Sequence, residues 1–160
     1  QVVVHRDFHS RNLMVVRNQE LAVIDFQDAV IGPITYDPVS LLKDCYVSWP
    51  RQRQIGWLLD YKGLLVREQR MTAMSDDPFI AWFDLMGLQR HLKVMGIFSR
   101  LHLRDNKSAY LADIPLVMDY FLSVARLYPE LNDMVVWFDN AVLPRAVKQL
   151  QALESDASRT

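Results

Sequence analysis

The 160-residue chain has one cysteine, Cys45, so it can form neither an internal disulfide nor a Cys-rich zinc site. That usage fits a reducing cytoplasm. Glycine is scarce, five in all, and the positions 32, 56, 63, 87 and 96 make no G-x-G-x-x-G phosphate loop. Charge of one sign is also missing, with 18 bases against 19 acids. A net charge of -1 leaves no general attraction to nucleic acid or to an anionic membrane surface. No uninterrupted apolar run approaches the ~18 residues of a membrane span, and Gln1 to Val4 carry no signal-peptide pattern. These absences predict a soluble, cytoplasmic protein. There is no initiator Met, and Val2, Val3 and Val4 read as the interior of a strand, so the chain is expected to be a piece of a longer protein.

What is present is the composition of a folded chain, 51% hydrophobic and 23% charged. Its length suits one core better than two. The first 35 residues are β-like: Val2 to Val4, Leu13 to Val16 and Leu21 to Ile24 are short β-branched runs, and Arg17 to Glu20 form a turn between the last two. From Asp37 onward the texture is helical, over roughly 38–48, 51–73, 78–103, 115–128, 131–140 and 144–153. Asp37-Pro38 and Asp77-Pro78 each place a capping side chain before a proline, and Pro50, Pro115, Pro129 and Pro144 mark further starts or breaks. Residues 51–105 carry nine bases against six acids, read as a solvated face with Arg51, Arg53, Arg67 and Arg70 outward. Phe79, Trp82, Phe83, Met86, Met95 and Phe98 read as a core stripe. Arg90, His91 and Lys93 are placed on a solvated helix face, with contact to an acceptor as the alternative.

The segment that carries chemistry runs His5-Arg6-Asp7-Phe8-His9-Ser10-Arg11-Asn12, with Asp25 thirteen residues further on. Asp7 and Asn12 share a loop, and Asp25 ends the second strand of the hairpin, which brings it beside Asn12. Such a pair suits Mg²⁺, which takes one or two protein oxygens and completes its shell with phosphate and water. Asp7 is then left to face an attacking hydroxyl. The spacing is that of a phosphoryl-transfer loop, H-R-D-x-x-x-x-N, in which positioning and charge neutralisation supply most of the rate. A zinc hydrolase built on His5, Asp7 and His9 is the chemical rival, but His91 and His102 are eleven residues apart and do not share a helical face at ligand spacing. Taken alone, Asp7 and Asn12 also read as turn residues, and Asp37 as a helix cap.

From Val4 to Leu42 the chain resembles the aminoglycoside phosphotransferase and choline kinase-like family, a branch of the protein-kinase-like fold. The resemblance implies α+β architecture: a mainly helical C-terminal lobe with a small β-hairpin carrying the catalytic loop, residues 1–160 forming that lobe and the N-terminal nucleotide-binding lobe lying outside the chain. It implies Asp7 as catalytic base, Asn12 and Asp25 as Mg²⁺ ligands, ATP as co-substrate, and Asp37 as a buried acid that caps the next helix and braces the loop with His5 and Arg6. Asp28 stands as a substrate contact or a loop ion-pair partner, and Arg6 as a partner of Asp28 or a stiffener of the loop. The family more often has Gly where this chain has Arg6. H-S-R-N-L-M with I-D-F-Q-D-A-V-I-G-P-I-T-Y-D-P looks most similar to bacterial sugar kinases acting on the anomeric hydroxyl of N-acetylmuramate and N-acetylglucosamine. Aminoglycoside or choline-type acceptors and a non-catalytic binding module are the alternatives. Without the other lobe, weak ATP binding and no activity are expected of this chain by itself.

Overall fold

The computed structural model describes residues 1–44 and 47–157. Cys45 and Tyr46, at the end of the helix expected over 38–48, lie outside the described residues. The order of elements is β1 (Val2–Val4), β2 (Leu13–Val15), β3 (Leu21–Val23), β4 (Val30–Gly32), α1 (Tyr36–Leu42), α2 (Arg51–Arg67), α3 (Asp76–Asp105), α4 (Ile114–Ala125), α5 (Asn132–Trp137) and α6 (Leu143–Ala157). The mainly helical architecture with a small β portion agrees with expectation. One core does not: the chain divides into two compact units, Gln1–Arg90 and His91–Thr160.

In the first unit the β portion is two antiparallel ribbons. The expected hairpin pairs Leu13 with Val23, Met14 with Ala22 and Val15 with Leu21. A strand that the β-branched runs did not reveal, β4, pairs with β1 through Val2 and Gly32, Val3 and Ile31, and Val4 and Val30. Gly32 is required there, because a Cβ on it would sit 2.7 Å from Cγ2 of Val4. Asn18 and Gln19 turn the hairpin with φ of 64° each, a conformation Asn tolerates better than most residues.

The ribbons lead into three helices whose apolar faces meet at Val39, Leu58, Phe79 and Phe83, all four fully buried. Burial of each phenylalanine contributes about 2–3 kcal/mol. Trp82 departs from the expected stripe. It is half exposed and borders a shallow cavity with Pro33, Ile34 and Leu85. Neither proline dipeptide caps as expected. α1 has Thr35 as its cap residue, and Thr35 Oγ1 donates instead to the Trp82 carbonyl at 3.4 Å. Asp37 and Asp77 both lie inside the first turn of their helices, where a carboxylate still interacts favourably with the helix dipole. α1 is shorter than expected and stops at Leu42.

The basic stretch is not uniformly solvated. Arg53, Arg67 and Arg70 are exposed, but Arg51 turns inward and grips the fully buried Asp84 with two bonds, 2.9 and 2.6 Å. Lys43, also buried, reaches the same carboxylate at 2.9 Å. Gly87 makes room for it: a Cβ there would meet Nζ of Lys43 at 3.1 Å. A glycine inside a helix costs about 1 kcal/mol against alanine, and here the space it leaves is filled by the lysine.

The second unit is helical. Ser108–Ala125 has a mean hydropathy of 1.2 over 18 residues, enough by length and composition to cross a membrane, although no single uninterrupted apolar run is that long. Half of that window is buried, and α4 alone buries Val117, Met118, Phe121 and Val124 among others, as the central helix of a folded unit does. His91 is buried, not solvated, and its ring stacks on Tyr120 with centroids 5.4 Å apart. Pro144 lies at the start of a helix, as expected. The wide π-turn Phe138–Val142 joins α5 to α6, and proline is accommodated at the start of α6 because the preceding turn is not held to the α-helical ladder.

Candidate active site

The loop between β1 and β2 is fixed through its backbone. Asp37 receives the main-chain N–H of His5 on Oδ2 at 2.7 Å and that of Arg6 on Oδ1 at 3.1 Å. The next peptide is held as well, since the Arg6 carbonyl accepts from Ser40 Oγ at 3.3 Å and from Arg90 Nη1 at 3.2 Å. Asp37 and Ser40 are one helical turn apart on α1, so one face of that helix supplies both contacts. These bonds hold Arg6 at φ of 76°, the left-handed region that disfavours a residue with a Cβ. Glycine occupies this conformation without strain, which gives a physical reason for the H-G-D form of the pattern.

Asp37 makes these bonds from a half-buried position inside α1, where it is not the helix cap. Replacing it by alanine strands two backbone donors. Asp37→Ala is expected to cost about 2–3 kcal/mol in urea unfolding, and Asp37→Asn about half of that.

His5 works at a second point. Its Nε2 donates to the Ile24 carbonyl at 2.8 Å, which ties the loop to the residue before Asp25. Nδ1 of the same ring is buried without a hydrogen-bond partner. Arg6 does not pair with the Asp28 carboxylate. Its guanidinium lies 3.5 Å from the Asp28 main-chain oxygen, and Asp28 itself is exposed.

The Asn12 side chain bonds the Asp7 main chain and the Asp25 carboxylate. Its Nδ2 donates to the Asp7 carbonyl at 2.9 Å and lies 3.4 Å from Asp25 Oδ2. The main-chain N–H of Ile24 donates to the Asn12 carbonyl at 3.1 Å, so the hairpin brings Asn12 and Asp25 side by side. Both side-chain bonds of Asn12 use its nitrogen, and the amide oxygen takes part in neither. Asp25, at φ of 65°, has its other oxygen, Oδ1, bonded by Gln27 Nε2 at 2.6 Å. Asp7 is exposed, and its main-chain oxygen also accepts the His9 N–H at 3.0 Å, which bends the loop beneath its side chain.

This donor set fits a hard cation poorly supplied by protein alone. One amide oxygen and one carboxylate, adjacent and open to solvent, are the small protein share that Mg²⁺ takes beside phosphate and water. Among the described residues no group of three His, Cys, Asp or Glu side chains is placed to hold a metal. His5, committed to Ile24, does not join Asp7 and His9 in a zinc-like cluster.

Residues 1–72 match the phosphotransferase enzyme family. Over 137 residues the chain is 45% identical to the N-acetylmuramate/N-acetylglucosamine kinase of Neisseria meningitidis serogroup B, covering 82% of this chain and 39% of that protein. It is 46% identical over 134 residues to the protein of the same name from Pseudomonas putida, with 84% and 39% covered. The Caulobacter vibrioides protein of that name is 31% identical over 145 residues, with 88% and 38% covered. The chain spans about two-fifths of the length of these relatives.

Three residues bonded to the loop and the hairpin end escaped the sequence. Gln27 was readable in principle, two residues beyond Asp25 in a tight turn. Ser40 was readable from its helical spacing to Asp37. Arg90 was not, because 84 residues separate it from Arg6 and no local pattern links them.

Proposed function

We propose that the full-length protein transfers the γ-phosphoryl group of ATP to a hydroxyl of an amino sugar of the N-acetylmuramate or N-acetylglucosamine class, most simply the anomeric one. The observation that carries this reading is the convergence of Asn12 and Asp25, 3.4 Å apart, beside an exposed Asp7 on the same loop. The names of the relatives supply the acceptor class.

Asp7 orients the acceptor hydroxyl toward the γ-phosphorus and accepts its proton as the new O–P bond forms and the bond to the departing ADP breaks. An anomeric hydroxyl is more acidic than an ordinary alcohol, so an unmodified carboxylate suffices. Asn12 and Asp25 would hold Mg²⁺, which when bound would supply charge neutralisation at the phosphate oxygens. His5, Arg6 and Asp37 keep the loop in the geometry that aims Asp7, and Asp28 lies at the edge of the site as a further contact. The adenine and most phosphate contacts belong to the lobe outside this chain, and the cytoplasm, where ATP is available, is the compartment implied.

The test is a panel of acceptors presented to the full-length protein with Mg-ATP. Turnover of N-acetylmuramate and N-acetylglucosamine is expected, with at least about a hundredfold lower kcat/KM for choline and aminoglycosides, equivalent to ~2.7 kcal/mol of discrimination. Turnover of choline without either sugar overturns the acceptor, and no transfer to any of them overturns the reaction.

A further inference from the structure

The peptide that joins Arg6 to Asp7 sets where Asp7 leaves the loop, because a peptide group is planar and turns as a unit. Its carbonyl is met by two donors, Ser40 Oγ at 3.3 Å and Arg90 Nη1 at 3.2 Å. They are not equivalent. A hydroxyl has one proton, and Ser40 Oγ also lies 3.2 Å from the Tyr36 carbonyl one turn back in α1, so the serine divides a single donor between two acceptors. Arg90 brings a bond strengthened by charge. Its guanidinium is half-buried and lies 5.7 Å from the centroid of the Tyr36 ring, which supports it on its way from α3 to the loop. Arg90, Tyr36, Ser40 and the loop all belong to the first unit.

The backbone of Arg6 shows why such a hold is needed. At φ of 76° it occupies a region that glycine enters freely and arginine does not. Relaxation to a negative φ would rotate the Arg6–Asp7 peptide and swing Asp7 with it. Asp37 fixes the N–H of Arg6, and the donors on the carbonyl fix the side that leads to Asp7. We propose that Arg90 is a positioning residue for Asp7, and that its bond to the Arg6 carbonyl compensates for arginine standing at a position where glycine would need less restraint. The proposal rests on the phosphotransferase reading above and adds to it a residue 84 positions from the loop, whose importance depends on what occupies position 6. Arg90 acts through the peptide and not on the substrate.

The experiment uses the full-length protein with Mg-ATP and each of the two amino sugars. Arg90→Gln is expected to lower kcat at least about tenfold, the scale of one hydrogen bond from a charged donor, while KM for ATP and for the sugar stays within about twofold. Arg90→Lys keeps the charge and a donor, and should regain part of the loss. Starting from Arg6→Gly, the same Arg90→Gln change should cost less than about threefold, so that the two positions are non-additive. A second measurement needs no turnover. The amides of His5, Arg6 and His9 are hydrogen-bonded within the loop region, and their hydrogen exchange should become about tenfold faster in Arg90→Gln but change little when Arg6→Gly is also present. An unchanged kcat, or a loss confined to KM for the sugar, overturns the positioning role. Equal losses in the two backgrounds overturn the compensation. If the unaltered protein phosphorylates neither sugar, faster exchange in Arg90→Gln that Arg6→Gly suppresses supports the hold on the loop while the reaction fails, and unchanged exchange overturns the hold whatever the reaction does. Should Arg90→Gln not fold, the double variant decides: a folded protein supports the compensation, and failure to fold there as well overturns it.

Discussion

Replacing Asp7 by asparagine in the full-length protein should lower kcat for the sugar by about 10²–10⁴, the span attributed to a positioned proton acceptor. KM for ATP should stay within about twofold, because uniform binding is unaffected when an interaction specific to the transition state is removed. The structure makes this a clean test. The Asp7 side chain is exposed, and the bonds that shape its loop use its main-chain oxygen, from Asn12 Nδ2 and from the His9 N–H. Asparagine keeps the shape and the main-chain acceptor while losing the negative charge that takes the proton. Unfolding of Asp7→Asn should therefore match the unaltered protein. A kcat reduced less than tenfold would move the proton acceptor elsewhere, and the exposed Asp28 is the carboxylate to replace next.

The placement of the loop and hairpin residues was more legible in the sequence than the rest of the scaffold because these parts are local. Asp7, Asn12 and Asp25 lie within one hairpin and its preceding loop, so residue spacing nearly determines their placement. The role of Asp37 was also readable in outline. Its mechanism was not, since the acid side chain could bond N–H groups of its own helix or of another segment, and the choice depends on where β1 ends. β4 was missed for a related reason. Three residues, one of them glycine, make too short a run to register, and the pairing with β1 is decided by tertiary contact. His91 was misplaced, and the bond of the exposed Arg51 to Asp84 was missed, because a charged or imidazole side chain on a helix reads as solvated unless its partner is known. Those partners, Asp84 and Tyr120, are 33 and 29 residues away, beyond the reach of any helical period. Trp82 failed in the opposite sense: helical spacing put it in the core stripe, but Phe79 and Phe83 already fill that face.

The largest effect on stability is expected at Asp84, a carboxylate with no exposed surface on its side chain, gripped by Lys43 at the C-terminal end of α1 and Arg51 from α2. Burial by itself would raise its pKa. The Arg51 hydrogen bonds and the Lys43 charge outweigh that and hold it below its ordinary value of 3.8. Burial likewise lowers the pKa of Lys43 from 10.5, against the opposing pull of Asp84. Asp84→Ala leaves that ammonium buried without its counter-charge and is expected to cost about 3–5 kcal/mol, a fall in Tm of roughly 10 °C. The double change Lys43→Met with Asp84→Leu should recover most of it, because no buried charge remains and Arg51, 40% exposed, can turn to water. The pH dependence separates this account from simple loss of packing. A carboxylate depressed in the folded state contributes stability that is fully present above its unfolded value, and the contribution is lost as pH falls through the folded one. Acid unfolding of the unaltered protein should therefore steepen below about pH 4, and the double variant should be flatter there. On the alkaline side, the unfolded chain holds the Lys43 proton up to higher pH than the folded one does, so that group alone makes stability rise with pH between its lowered pKa and 10.5. An Asp84→Ala variant as stable as the double variant would show that Lys43 finds water or another partner, and that the ion pair is not what joins α1 to α3.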